Sequence, residues 1–352
     1  PWAPTPSSRT AERRKSTDMT NVAIIGTGHH VPERVVTNEE LKQWMDTSDE
    51  WIRERSGISE RRWVTPGTTT DDMAHAAARM AIDDAGIEAS ELDMIVFATI
   101  NPDHFFPGNG VLLQKSLGVD TIGALDIRNQ CTGFVYGVAT AAAYIKSGLY
   151  RTVLVVGAEL QSSSLDLSDR GRDISVLFGD GAGAAILQAV DPESGSTSDV
   201  LASSLHSQGE NARELWCELP AGCLPGRITP ELMAEGRHFP LMNGRAVFKH
   251  AVIRFCQAID EVLEKAGVTR DEIKLVIPHQ ANLRITEAVA KRFELRPEQV
   301  FSNIQRYGNT TAASIPIALS EAVREGRLVR GDLVVLVAFG SGFTWGANLI
   351  RW

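Results

Sequence analysis

Two stretches of this chain repeat one another at nearly one spacing. The run DDAGIEASELDMIVFA begins at Asp83 and LEKAGVTRDEIKLVIPH begins at Leu263, so that Ala85-Gly86 corresponds to Ala266-Gly267 at an offset of 181 residues. Farther on, IKSGLYRTVLVV matches VREGRLVRGDLVVLV, and pairing Gly148-Leu149 with Arg327-Leu328 gives an offset of 179. Matched blocks in one order and at nearly one offset predict two similar halves, 19–190 and 191–352, although any two βα units share part of this pattern. In the duplicated reading Cys131 and Thr310, just after Asn309, hold equivalent positions ahead of equivalent helices. A pseudo-two-fold then brings both loops towards one central site.

The pattern between the blocks agrees with an α/β chain. Short β-rich runs (Val22–Ile25, Met94–Ala98, Val153–Val156, Leu275–Ile277, Leu333–Val337) alternate with helical patterns over Asp71–Ala85, Gly133–Ser147, Ala246–Ala266, Leu283–Phe293 and Ala312–Glu325. Such alternation predicts mostly parallel, buried strands. At 352 residues, 43% hydrophobic, the chain can bury a sizeable core. A net charge of −9 argues against broad nucleic-acid binding. No apolar run approaches the ~18 residues of a membrane span. Residues 1–18 lack an apolar core and read as a disordered extension or an expression remnant, not as a signal peptide. Cys131, Cys217, Cys223 and Cys256 are too sparse for a disulfide scaffold and show no zinc spacing, which points to a reducing cytoplasm and no metal.

Cys131 carries the sharpest chemical signal. It follows a strand-like segment, Ala124–Ile127, and precedes the Ala-rich helix at Gly133. A thiol at a helix N-terminus is expected to ionise more easily, and Gly133 permits close approach of a substrate. The bland alternative is a buried cysteine acting as a small hydrophobe, which is the reading for Cys256. His279 lies in Pro278-His279-Gln280-Ala281-Asn282 at a strand's carboxyl end, where α/β sheets build sites; it could instead cap the next helix. Asn309 lies in Gly308-Asn309-Thr310-Thr311 and could be a plain N-cap. A thiol, an imidazole and an amide at three strand-to-helix junctions say more together than singly. Gly26-Thr27-Gly28 and Gly179–Gly183 lack the residues of a nucleotide fingerprint and read as tight turns with close backbone packing. Gly340-Ser341-Gly342 is a loop able to aim a backbone N–H at an oxyanion.

These residues, taken with Asp49-Glu50-Trp51-Ile52, Cys131-Thr132-Gly133-Phe134, Phe178–Ala185, Pro278–Ile285, Gly308–Pro316 and Phe343-Thr344-Trp345-Gly346, resemble the β-ketoacyl-acyl carrier protein synthase III enzymes among the thiolase-fold condensing enzymes. The likeness runs from about Val22 to Trp352. It implies a thiolase-like fold, two βαβ-rich halves in a five-layered α-β-α-β-α arrangement. It implies a decarboxylating condensation of an acyl-CoA primer with malonyl-acyl carrier protein, initiating fatty-acid synthesis. Cys131 would be acylated, with the N–H groups of Cys131 and Ser341 on the oxyanion. His279 and Asn309 would hold the malonyl thioester carbonyl, and Phe339 would wall the site. No cofactor would be permanently bound, coenzyme A serving as substrate. Trp51 would stack on adenine, unless it merely packs on a helix surface, with Arg170 opposite. Gly244 and Asn282 would line the pantetheine tunnel. Phe106 would enter the partner's acyl pocket, implying a homodimer. Lys249, Arg284, Lys291 and Arg292 would dock acyl carrier protein, although charged residues at helical spacing commonly form a solvated face.

Three positions depart from the family's habit: Arg128-Asn129-Gln130 in place of small residues before the nucleophile, Arg245 where many members carry asparagine, and Ser341 for a frequent glycine. The first two bear on primer choice, leaving open a starter enzyme of secondary metabolism on the same fold. A non-catalytic scaffold or chain-length subunit is the rival of another class, against which the intact Cys131, His279 and Asn309 argue.

Overall fold

A computed structural model describes residues 20–224 and 226–352, so the segment 1–18 lies outside the described residues. Two sheets carry the architecture. The first is built from β1 (Val22–His30), β2 (Met94–Ala98), β3 (Gly123–Ile127), β4 (Thr152–Glu159) and β5 (Gly181–Ala189), in the order β1-β5-β4-β2-β3. The second contains β6 (Asp199–Ser207), β7 (Ile273–Pro278), β8 (Leu333–Gly340) and β9 (Thr344–Arg351), in the order β6-β9-β8-β7. Their directions match. β5 is antiparallel to both its neighbours, as β9 is to β6 and β8, and the pairs β4/β2 and β8/β7 are parallel. The place of β3 is taken in the second sheet by one parallel bridge, Val276 to Val300.

The helices used below are α1 (Asp49–Ser56), α2 (Thr70–Ala85), α3 (Gly133–Lys146), α4 (Gly244–Ala266), α5 (Leu283–Arg292) and α6 (Ser314–Arg324). Both sheets are covered on both faces, so their central strands are nearly continuous apolar runs, but the expectation of mostly parallel strands does not hold: four of the seven pairings are antiparallel, β9 for instance turning straight back on β8 through residues 341–343. Alternate residues separate the layers. Met94, Val96, Val153 and Val155 face inward with Leu275, Ile277, Val334 and Leu336 of the other sheet, onto α3 and α6. Ile95, Phe97, Leu154 and Val156 face outward onto α2. Val335, Val337, Ala347 and Leu349 face outward onto α4 and α5. The result is the expected α-β-α-β-α arrangement.

Local chemistry explains the element ends. Thr69 and Asp72 form a capping box at the start of α2, and Asn243 caps α4 through the N–H of Ala246. Gly86 and Gly267 end α2 and α4 with φ of 66° and 64°, a left-handed cap that favours glycine. The repeat at Ala85-Gly86 and Ala266-Gly267 is therefore one structural feature used twice. The later block needs a corrected register. The left-handed glycine Gly148 after α3 corresponds to Gly326 after α6, not to Arg327. α6 has 11 residues against 14 in α3, and the turn that follows it is correspondingly longer.

Two glycine-rich readings also change. Gly26 and Gly28 lie within β1, and Gly183 lies within β5, in strands instead of turns. Their close backbone packing is nevertheless present. A Cβ on Gly28 would collide with the carbonyl oxygen of Ala77 and the amide nitrogen of Ala81 on α2, and one on Gly183 would lie 2.6 Å from the nitrogen of Ile317. Helix and sheet meet backbone to backbone there. Gly28→Ala should therefore destabilise the fold by about 1–3 kcal/mol, the ordinary cost of overpacking. Gly209→Ala, in open space, should stay within about 0.5 kcal/mol. Urea unfolding of the two variants against the parent checks this, and equal midpoints would contradict it.

Candidate active site

The first turns of α3 and α6 meet between the sheets. Each is entered through a short 3₁₀ turn, Gln130–Thr132 and Thr311–Ala313. Gln130 and Thr311 both adopt left-handed backbone, with φ of 44° and 49°. That shared strain fixes the correspondence of the halves: Gln130 matches Thr311, and Cys131 matches Ala312. The sequence expectation that Cys131 matches Thr310 is two residues out, because the short 3₁₀ turn precedes α6 and is not visible as periodicity. Gly133 sits against the second turn, where an added Cβ would be 3.3 Å from Cβ of Ala312.

Cys131, His279, Asn309, Phe339 and Gly340 line one cavity of about 120 Å³, together with Asn282 and Gly244. Its remaining walls are apolar, chiefly Leu215, Met242, Val247 and Phe248. The three polar residues are deeply set, at 8%, 2% and 6% exposure. Asn309 is held by its backbone, its N–H donating to Leu177 O at 2.8 Å and its carbonyl accepting from Gly179 N–H at 3.1 Å. Its side-chain Oδ1 accepts from Thr311 N–H at 2.9 Å, which leaves the Nδ2 amide as the donating end. His279 follows β7, and its Nδ1 lies 2.6 Å from Ser314 Oγ. The Phe339 ring packs 4.7 Å from that of Phe343.

Gly340 stands directly over Cys131. A Cβ there would lie 2.6 Å from Cβ and 3.0 Å from Sγ of Cys131, so no other residue fits. The N–H groups of Cys131 and Ser341 both bear on Sγ. These are the two N–H groups that the resemblance would aim at an oxyanion; the Ser341 hydroxyl turns away and donates to Leu215 O.

The expectation of an acidified thiol is overturned. Burial, reinforced by the Glu159 carboxyl, pushes Cys131 up to about 12 despite the two N–H groups. The magnitudes explain the outcome. A helix N-terminus contributes about 0.3–1 kcal/mol, up to ~2 in partly buried sites, whereas full burial shifts a titrating group by up to 3–5 pKa units. Burial likewise lowers His279 to about 3, so its ring is neutral. Glu159, at the end of β4, is raised to about 8 by burial.

The outlying expectations fare unevenly. Trp51 has two guanidinium groups over its ring, Arg55 at 4.5 Å and Arg172 at 4.9 Å. Arg170 is not one of them; it pairs with Asp166 at 2.6 Å and lies over Phe239. Asn282 caps α5 through Arg284 N–H and donates to Arg55 O at 2.8 Å. Phe106 is 77% exposed. Lys249, Arg284, Lys291 and Arg292 are all exposed. Arg284 lies 5.7 Å over the ring of Phe248, the residue before Lys249 in α4. Cys256 is core, as expected. Sequence reasoning missed Ser314, Glu159 and Arg172. Of these only Glu159 left a trace, as an acid ending an otherwise apolar strand. Among the described residues no helix is long and apolar enough to cross a membrane and no cluster of side chains could hold a metal.

Comparison with known proteins follows the same lines. Family models for 3-oxoacyl-[acyl-carrier-protein] synthase III match residues 125–209, and for its C-terminal part residues 263–352. The β-ketoacyl-[acyl-carrier-protein] synthase III of Geobacillus kaustophilus is 45% identical over 94% of this chain and 98% of its own. The structure of 3-oxoacyl-[acyl-carrier-protein] synthase III from Aquifex aeolicus superposes with a TM-score of 0.85 at 44% identity, over 94% of this chain and all of that one. The priming β-ketosynthase of the R1128 polyketide pathway also reaches 0.85, at 32% identity over 98% of both chains.

A thiol near 12 makes a direct prediction. Alkylation of Cys131 by iodoacetamide should rise close to tenfold per pH unit from 7 to 9 and show no plateau there, because the reactive thiolate is the minor form throughout. Peptide mapping follows the rate at Cys131 alone. A plateau near neutral pH would restore the acidified thiol.

Proposed function

The chain belongs to the 3-oxoacyl-[acyl-carrier-protein] synthase III family, and from that premise we propose that its reaction runs through Cys131, His279 and Asn309. It is a condensing acyltransferase that joins an acyl-CoA primer to malonyl-acyl carrier protein with loss of carbon dioxide, initiating fatty-acid synthesis. The observation that carries the residue assignment is that thiol, imidazole and carboxamide share one apolar cavity beneath a glycine that leaves the thiol uncovered.

Cys131 Sγ attacks the thioester carbon of the primer. The carbon–sulfur bond to coenzyme A breaks, and the thiol proton of Cys131 ends on the departing CoA sulfur. The N–H groups of Cys131 and Ser341 stabilise the oxyanion of that step. Malonyl thioester then enters, its carbonyl oxygen between His279 Nε2 and Asn309 Nδ2. Breaking the carboxylate's carbon–carbon bond releases carbon dioxide and leaves an enolate, whose charge falls on the oxygen that the two neutral donors face. The enolate carbon attacks the acyl carbon, its bond to Cys131 Sγ breaks, and the departing thiolate takes up a proton from solvent as the 3-oxoacyl product forms. Phe339 keeps this chamber apolar, which favours loss of a charged carboxylate as neutral gas.

The cavity walls at Gly244 and Asn282 suit a pantetheine arm, and Trp51 suits adenine, with Arg172 now a better candidate than Arg170 for the group beside it. The exposed Phe105 and Phe106 support a homodimer in which Phe106 reaches the partner's pocket. Four free cysteines suit a reducing cytoplasm. The division at 190 into halves of one fold is part of the same reading. The priming ketosynthase likeness supports a second reading, a starter enzyme of secondary metabolism. A panel of acyl-CoAs with malonyl-acyl carrier protein, following carbon dioxide release, separates the two by the primer preferred.

Cys131→Ala should abolish acyl loading and condensation together, as intact-protein mass after acyl-CoA treatment will read. His279→Ala and Asn309→Ala should keep most loading while decarboxylation falls on the order of 10²–10³-fold, the usual cost of one oxyanion donor. Loading that falls as far as decarboxylation would refute this division of labour.

Carrier docking is tested separately. Arg284→Glu combined with Lys291→Glu should raise KM for malonyl-acyl carrier protein several-fold, more at low salt, because exposed charge steers association. Loading by a small acyl-CoA should change little. Equal losses with both substrates would remove these residues from the docking surface.

A further inference from the structure

A histidine that donates to a developing oxyanion must carry its proton on the nitrogen that faces the substrate. His279 is buried and its imidazole is neutral, so it holds one ring proton, on Nδ1 or on Nε2. The structure supplies a group able to choose between them. Ser314, the first residue of α6, is itself buried, and its Oγ lies 2.6 Å from His279 Nδ1. The same oxygen accepts the backbone N–H of Gln280 at 3.3 Å.

A hydroxyl has one proton and two lone pairs. One lone pair of Ser314 Oγ is taken by Gln280 N–H, a donor that cannot be reversed. Were Nδ1 protonated, its N–H would take the other lone pair, and the Ser314 proton would need a third acceptor. Among the described residues none is bonded to it. The hydroxyl proton therefore belongs on the line to Nδ1, which then accepts, and the ring proton is left on Nε2. We infer that Ser314 is a positioning residue that locks His279 in the Nε2–H tautomer, through a hydroxyl polarised by the Gln280 amide. This rests on the proposed role of His279 in holding the malonyl thioester.

The arrangement has a counterpart at Asn309. Thr311 N–H takes Asn309 Oδ1 at 2.9 Å and so turns Nδ2 into the outward donor. Both donors are thus oriented by partners in the entry to α6, one backbone and one side chain. The Thr311 amide would survive any substitution at 311 except proline; the Ser314 hydroxyl would not survive loss of its oxygen.

The test combines a spectrum with kinetics. In protein labelled with ¹⁵N-histidine, His279 should show an unprotonated, pyridine-like Nδ1 and a protonated Nε2; a protonated Nδ1 overturns the inference whatever the kinetics say. In Ser314→Ala, the tautomers should mix, and malonyl-acyl carrier protein decarboxylation should fall about 10–100-fold, the loss seen when a metal-bound histidine loses the partner that fixes its tautomer. Acyl loading of Cys131 should stay within about twofold of the parent. Decarboxylation unchanged, or loading lost in equal measure, overturns the inference too. If the variant does not fold, the spectrum of the parent still decides. His279→Ala separates the two readings: if that variant decarboxylates normally, the role of His279 falls, independently of which tautomer the spectrum shows.

Discussion

The meeting of two helix starts between the sheets is the contact on which the rest depends. Cβ of Ala312 would stand 3.3 Å from a Cβ placed on Gly133, and a Cβ on Gly157 of β4 would run into the Ala312 carbonyl. Glycine at 133 and 157 and alanine at 312 let helix approach helix and helix approach strand at backbone distance. Larger side chains would push α6 away from the first sheet. Asn309 and Ser314 flank that contact within five residues in sequence, and Cys131 lies two residues before Gly133. A fraction of an ångström lost here would be felt at all of them, because a packed interior transmits displacement.

Two alike turns would allow two alike sites, but Ala312 stands where the first turn carries Cys131. A second difference lies where the two innermost strands end. β4 closes on Glu159 and β8 on Gly340, which correspond at the same offset as Ala85 and Ala266. Over Cys131 the glycine leaves the thiol open. Over Ala312 the Glu159 carboxyl fills the equivalent space, accepting the N–H groups of Ala312 at 3.4 Å and Ile100 at 3.2 Å. One half presents its turn to substrate, while the other has its turn occupied by a side chain. The second half contributes what lies on either side of that blocked turn, Asn309 before it and Ser314 after it, together with His279 from β7.

This asymmetry also explains what could be read beforehand. The period-3.6 patterns come from burial of one helix face, so the five long helices were legible to within two residues, whereas β1, β4 and β8 run on past the apolar runs that marked them, and β5, β6 and β9, with glycine, serine or asparagine among their apolar residues, were not legible as strands. Cys131 and His279 were legible because each sits where strand signal stops and helix signal starts; Asn309 does not, since a short helix, Ile304–Tyr307, precedes it where a strand was expected, and its assignment leaned on the resemblance. The register between the halves was not legible, since a left-handed Gln130 or Thr311 leaves no periodic mark. Gly26, Gly28 and Gly183 were read as turns because glycine usually signals a turn, but here it signals contact between layers, which only the third dimension reveals. The thiol's acidity was misjudged for a related reason. A helix start is visible in sequence, whereas the burial that outweighs it is the work of Gly340, Phe339 and the neighbouring sheet.

The outcome of that burial is a site without resident charge. Near neutral pH, with Cys131 near 12, His279 near 3 and Glu159 near 8, the thiol and the carboxyl keep their protons and the imidazole stays neutral. A charged imidazolium would bind the malonyl carboxylate and hold back its loss. A resident thiolate or carboxylate would repel the enolate, most strongly in a chamber where water cannot screen it. With every group neutral, the negative charges in the cavity are those that the reaction brings or creates, and the oriented N–H donors meet them without having to reorganise. The cost is a nucleophile that is mostly protonated at rest. The two N–H groups that bear on Sγ offset part of that cost.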